Sequence, residues 1–193
     1  MLTVEKERAA SLGYRKRIER KLFELKEQQE NISTLLAHES IGNKDHQVLY
    51  YSGWIWISLH ILLSVPKFQD LDSLASRTGL PKDQVRIYLE MLEKMNLVKR
   101  DANRWRSLPG NLHLPKESPL IALHHNNWRQ KSVMDAQINQ KESLHYTTIV
   151  SLSIADADKL KQTLLEFISS FQRVVGPSKE EEVFCFATDF FKV

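Results

Sequence analysis

Seven polar side chains in one short stretch hold most of the chemistry this sequence offers. Lys82, Gln84 and Arg86 stand within "LPKDQVRIYLEMLEKMNLVKR", Lys99 and Arg100 close that run, and Arg104 and Arg106 flank Trp105 in "NRWRSL". Lysine and arginine neutralise phosphate, and each contact of that kind releases condensed counterions. Glutamine can pair with adenine, and arginine with guanine, in two-point contacts at base edges. The chemistry these types could do together is non-covalent recognition of a duplex.

Such a task needs a helix that presents side chains, a brace for that helix, and a place for the remaining cations. The sequence predicts all three. Asp70 or Asp72 can cap a short helix, "SLASRT", and Gly79 closes it in the left-handed conformation that glycine adopts at low cost. Pro81 then opens a second helix at its first turn, expected over Leu80 to Asn96. Val85, Leu89 and Leu92 share one face by the three-four rule, which leaves Lys82, Asp83, Gln84, Arg86, Ile87 and Glu90 on or near the other. "NLVKRDANRWRSL" reads as two short strands about a turn at Asp101-Ala102-Asn103.

Further upstream, Ile18, Leu22, Leu25, Gln29, Ile32 and Leu36 alternate spacings of four and three, a seam that fits either a dimer contact or a helix lying on its own domain. Gly42-Asn43 is a turn signal. A helix expected from about Val48 to Ser64 is apolar nearly all round and ends before Pro66, so it should be the buried centre of the middle domain. Pro109-Gly110 and Pro115 mark a linker. Ser118 and Pro119 start another helix, "HYTTIVSLSI" has the β-branched richness of a strand, and an amphipathic helix ends at Gly176-Pro177. "EEVFCFATDFF" reads as a closing strand. Two strands and a helix are too few to bury a sheet alone, so this unit should pack on the middle domain, on a partner's copy, or on both.

The expected fold is therefore mainly α with α+β elements. A winged helix-turn-helix over residues 46–110 follows an amphipathic helical segment in 1–45 and precedes a helix plus strand-helix-strand unit in 111–193.

Composition permits the nucleic-acid reading without demanding it. The chain has 193 residues, 42% hydrophobic and 26% charged, and a net charge of +3, far from the bias of polybasic proteins. Between Asp70 and Leu108 eight Lys or Arg face six Asp or Glu, and Asp83, Glu90 and Glu93 on or beside the presenting helix would repel phosphate. A docking module for another protein is the competing expectation.

Other chemistries find less support. No Gly-rich phosphate loop and no Gly-x-Ser-x-Gly elbow occur, and six glycines leave few places for a catalytic loop, so an enzyme is not expected. His124-His125 point to different sides of a helix, and no His-x-x-x-His or Cys-x-x-Cys spacing occurs; neither metal nor cofactor is expected. His60 reads as a core histidine with one hydrogen-bond partner, and Tyr50, Tyr51, Trp54 and Trp56 as core packing rather than a ligand pocket. Asp156, Asp158 and Asp189 read as a helix start and an exposed strand position. The single cysteine, Cys185 in "VFCFA", is expected to be a buried thiol. "MLTVEKERAAS" lacks the apolar core of a signal peptide, and "WIWISLHILLSV" falls short of the ~20 residues that span a bilayer, which points to a soluble cytoplasmic protein without membrane contact.

The segments "YYSGWIWISLHILLSVPKFQD", "LASRTGLPKDQVRIYLEMLEKMNLVKRDANRWRSL", "HYTTIVSLSI" and "VFCFATDFF", in this order, resemble a family of predicted bacterial winged-helix regulators. That family is described as a domain of unknown function and is multiplied in predatory bacteria. The resemblance covers roughly Tyr50 to Val193, with the paired tyrosines, Trp54 and His60 as its most specific marks. It implies a transcription-regulator-like protein. Members of the family carry helical sequence before the tyrosine pair that itself resembles a helix-turn-helix, whereas here a charged heptad-like helix stands in that place, which favours dimerisation. The expectation is a homodimeric regulator of transcription that binds double-stranded DNA through Lys82, Gln84, Arg86, Lys99, Arg100, Arg104 and Arg106.

Overall fold

The computed structural model describes residues 41, 43–109, 114, 117–138 and 141–193. The heptad-like seam of residues 18–36 lies outside them, as do Gly42, Gly110 and Pro115. The described chain is mainly helical, with six α-helices and one two-stranded antiparallel sheet.

Helix α1 (Lys44–Tyr51) begins where the Asn43 side chain accepts hydrogen bonds from the backbone N–H groups of Asp45, at 2.8 Å, and His46, at 3.4 Å. A single helix from Val48 to Ser64 is not formed, because α1 stops and α2 (Trp54–Leu62) starts afresh. The cause is the Ser52-Gly53 pair. The Ser52 hydroxyl donates to the Leu49 carbonyl at 2.7 Å, in competition with the helical ladder, and glycine carries the largest backbone entropy cost of helix formation. Apolar α2 is central as expected, with Trp56, Leu59, His60 and Leu62 buried. A 3₁₀ turn (Pro66–Phe68) follows.

Helix α3 (Leu71–Thr78) is capped by Asp70, whose carboxylate accepts the Ser73 N–H at 2.9 Å, and is closed by Gly79 at φ 71°. Helix α4 (Lys82–Lys94) is shorter than the expected Leu80 to Asn96 by two residues at each end, with Pro81 just before its first turn rather than inside it. Its end carries a feature that composition did not announce. Asn96 takes φ 60°, its N–H donates to the Glu93 carbonyl at 2.9 Å, and the Leu97 N–H donates to the Leu92 carbonyl at 3.0 Å. This paired closure satisfies two carbonyls that the helix end would leave without donors.

Leu97 turns the chain into β1 (Val98–Asp101), which pairs with β2 (Arg104–Ser107). The Trp105 N–H also donates to the Gln69 carbonyl at 2.8 Å, so the hairpin is tied to the segment that enters α3. Leu59, Leu63, Leu74, Val85, Leu89 and Leu92 are completely buried at the meeting of α2, α3 and α4. Each such leucine contributes about 1.5–3 kcal/mol by leaving water. Tyr50, Tyr51 and Trp56 belong to the same core, with Trp56 edge-on to Tyr88 at 4.5 Å.

Helix α5 (Ile121–Ile138) follows Ser118, whose hydroxyl accepts the Leu120 N–H at 3.2 Å. It docks on α1 through a buried bond, from the Asn127 amide to the Tyr51 carbonyl at 2.7 Å. Helix α6 (Ile154–Val175) is capped by Ser153, carries Asp156 in its first turn and ends at Gly176. The strands expected at 145–154 and 181–191 are not formed: neither segment finds a neighbour to complete a ladder among the described residues. Among those residues no helix is long and apolar enough to cross a membrane.

Candidate nucleic-acid interface

All seven predicted residues are exposed, and they fall into two groups set by helix phase and strand alternation. With Val85, Leu89 and Leu92 turned into the core, α4 presents Lys82, Asp83, Gln84, Arg86, Ile87 and Glu90 to solvent. Ile87 is 64% exposed, an apolar side chain in the middle of a polar face.

The hairpin register decides the second group. Val98 pairs with Ser107, Lys99 with Arg106, Arg100 with Trp105, and Asp101 with Arg104. Cross-strand partners share a side and successive residues alternate. Lys99, Arg106, Arg104 and Asp101 therefore occupy the outer face, while Val98, Trp105, Arg100 and Ser107 occupy the inner one. Arg100 does not join Lys99 as expected from their adjacency. Its guanidinium lies over the Trp105 ring at 5.7 Å, its Nε donates to the Ala102 carbonyl at 3.2 Å, and its backbone N–H donates to Glu93 Oε1 at 3.1 Å. The last bond braces the hairpin against α4. Glu93, which looked from the sequence like a source of repulsion, is occupied there as a strut.

Between the two groups lies a cleft of about 250 Å³ lined by Asp70, Asp72, Arg86, Arg100, Asn103 and Trp105. Carboxylates hold several of the cations. Lys82 pairs with Asp72 across the start of α3 and α4, Arg86 with Asp83 at 3.2 Å, and Arg106 with Asp101 at 3.9 Å. Exposed pairs of this kind contribute ~0–1 kcal/mol, so a phosphate can displace the carboxylate at little cost. The Ser73 N–H that caps α3 holds the Asp70 carboxyl below its ordinary range, with the Arg104 charge as a smaller influence. Gln84 and Lys99 have no side-chain partner among the described residues.

Other singled-out residues lie elsewhere. His60 is 3% exposed and bonded to Tyr50, and its burial lowers its pKa to about 4. Asp189 pairs with Arg129 instead of standing on a strand. Cys185 is exposed, contrary to the expected buried thiol, because no sheet forms around it. The chain beside its Sγ still desolvates the group enough to push its pKa up, against the Arg129 charge. The sequence reading missed Asn96 and the Glu93 strut. An asparagine directly before a new apolar run is the signal that could have found the first, and nothing local announces the second.

No curated protein and no solved structure matches the chain. A family model does match, over residues 26–193, which reaches further toward the amino terminus than the segments that carried the resemblance. By that match the chain belongs to the family described as Domain of unknown function (DUF4423).

Proposed function

We propose that α3, α4 and the hairpin form a winged helix-turn-helix and that the protein is a DNA-binding regulator of transcription, acting as a homodimer. On this reading α4 enters the major groove with Lys82, Gln84 and Arg86 leading, and the hairpin reaches the flanking backbone. The observation that carries it is the outer face of the hairpin. Lys99 and Arg106 stand directly opposite one another, with Arg104 on the same side and a single carboxylate, Asp101, among them. Like charges placed opposite on a sheet destabilise it, so a polyanion that neutralises them is a natural occupant. The hydrogen bond from Trp105 to Gln69 lends support, since it fixes the hairpin relative to the entry of α3.

The second reading is a protein-docking module without DNA affinity. Ile87 favours it, because an exposed isoleucine suits a protein contact; on a DNA-facing helix the same side chain would sit against a thymine methyl. Selection of bound duplexes from a random pool, followed by titration of the Arg86→Ala variant on the selected sequence, separates the two. Base readout predicts a loss of about 1–3 kcal/mol and a relaxed preference at one position. A docking module enriches no sequence.

A further inference from the structure

Residues 145–153 and 183–191 are the most apolar exposed part of the described chain, and no described backbone pairs with either. Ile149 is 87% exposed, Tyr146 83% and Phe184 79%, with Val150, Phe190 and Phe191 also uncovered. Between Ser143 and Ile154 there is no Asp, Glu, Lys or Arg, so the charges that usually protect an open strand edge are missing. Apart from the Ser153 carbonyl, which accepts the Ala157 N–H at 3.0 Å where α6 begins, neither segment makes a backbone–backbone hydrogen bond to another described segment. Helix α6 between them buries none of its 22 residues, although Leu160, Leu164, Phe167, Phe171 and Val174 follow a three-four spacing.

Side chains nevertheless hold both segments in place. His145 bonds to Asp135 at 3.0 Å on α5, and Asp189 pairs with Arg129 on the same helix. Phe186 lies against Phe167 and Phe171 of α6 at 5.6 and 4.9 Å, and Glu182 bonds to Lys67 and Arg77 at 3.1 and 3.0 Å. Two segments of strand composition are thus anchored at their side chains while, among the described residues, neither main chain enters a strand ladder.

We infer that a second copy of this chain completes the sheet: residues 145–153 of one subunit pair with 183–191 of the other, and the two α6 helices cover the same apolar layer. The inference rests on the homodimer within the reading above and gives it an interface. Self-complementarity argues for a second copy over a foreign strand, because each chain carries both halves of the missing pairing and a twofold axis satisfies both at once. Area agrees. The two segments and α6 leave large apolar side chains uncovered, Ile149, Phe184, Phe191 and Phe167 among them, on the scale that a contact between subunits covers.

Cys185, the chain's single cysteine, is a built-in reporter. Thr148→Cys, Ile149→Cys, Val150→Cys and Ser151→Cys variants of the full chain, each with and without Cys185→Ser, are oxidised without DNA and run on a denaturing gel. The expected result is a covalent dimer that needs Cys185, is strongest at alternate positions, and accompanies a dimeric mass of the unmodified chain at micromolar concentration in light scattering. A fast-migrating monomer would place the two strands together within one chain and overturn the inference. A monomeric mass without crosslinks would also overturn it. Because no DNA is present, failure here is distinguishable from failure of the DNA-binding reading.

Discussion

The Tyr50 hydroxyl lies 2.8 Å from Nδ1 of His60, and both side chains are buried. This bond joins α1 to α2 across the break at Ser52-Gly53, so two helices that composition would have fused are held by one polar contact inside an apolar core. Burial, with a smaller influence from the Tyr51 charge, raises the Tyr50 pKa, and His60 remains neutral at physiological pH. Tyr50→Phe leaves Nδ1 buried without its partner, and a stability loss of about 1–3 kcal/mol is expected in urea denaturation. Unchanged stability would mean that the bond is not formed in solution.

The same histidine gives a pH dependence with a definite sign. Desolvation lowers its folded pKa to about 4, against an ordinary 6.5, despite an opposing contribution from the Leu97 backbone. The unfolded chain therefore binds the proton more readily. Stability is complete above pH 6.5 and falls as the pH drops from 6.5 toward 4, by about 1.4 kcal/mol per pH unit and roughly 3 kcal/mol in all. Thermal melts between pH 7.5 and 4.5 measure it, and His60→Gln flattens the dependence in that window.

Among the described residues two that are not glycine occupy the left-handed region, Asn96 at φ 60° and Ala102 at φ 52°. Alanine bears the larger penalty there, so Ala102→Gly is expected to stabilise the hairpin by about 1 kcal/mol. Asn96→Val, which breaks the closure of α4, is expected to destabilise by more than that. Differential scanning calorimetry of both variants reads the two signs directly.

What was legible in the sequence followed from local rules. Asp70, Gly79, Val85, Leu89 and Leu92 sit where capping and helical period put them, and the turn after Asp101 joins a real hairpin. The separation of Lys99 from Arg100 was also written in the two-residue period of a strand, but adjacency in sequence made them look like one cluster. Segments 145–153 and 183–191 failed for a different reason. Their β-branched and aromatic residues state a preference for a pleated surface, and a strand exists only when another backbone completes it. That partner is not encoded nearby. The Glu93 strut is non-local in the same sense, since it depends on how β1 leaves α4.

Trp105 is buried on the inner face of the hairpin, with Arg100 over its ring and its backbone N–H bonded to the Gln69 carbonyl. Truncation to alanine removes an aromatic anchor and is expected to cost about 3–5 kcal/mol. Arg100→Ala, which removes the cover and the exposed Nε bond to the Ala102 carbonyl, is expected to cost about 1 kcal/mol. If Arg100 instead serves as a phosphate contact, its removal would weaken DNA binding as strongly as removal of Lys99. Side-by-side anisotropy titrations of Arg100→Ala and Lys99→Ala distinguish these roles, with the larger loss expected for Lys99→Ala.

The most direct test of the DNA-binding account is a fluorescence anisotropy titration of the full chain onto labelled random-sequence duplex at several salt concentrations, beside a variant with Lys82, Arg86, Arg104 and Arg106 changed to alanine. Counterion release predicts affinity that falls linearly on a log-log plot, with the slope about 3–4 smaller in magnitude for the variant. No binding by the unaltered chain even at low salt, or binding that the four substitutions leave intact, would contradict the account.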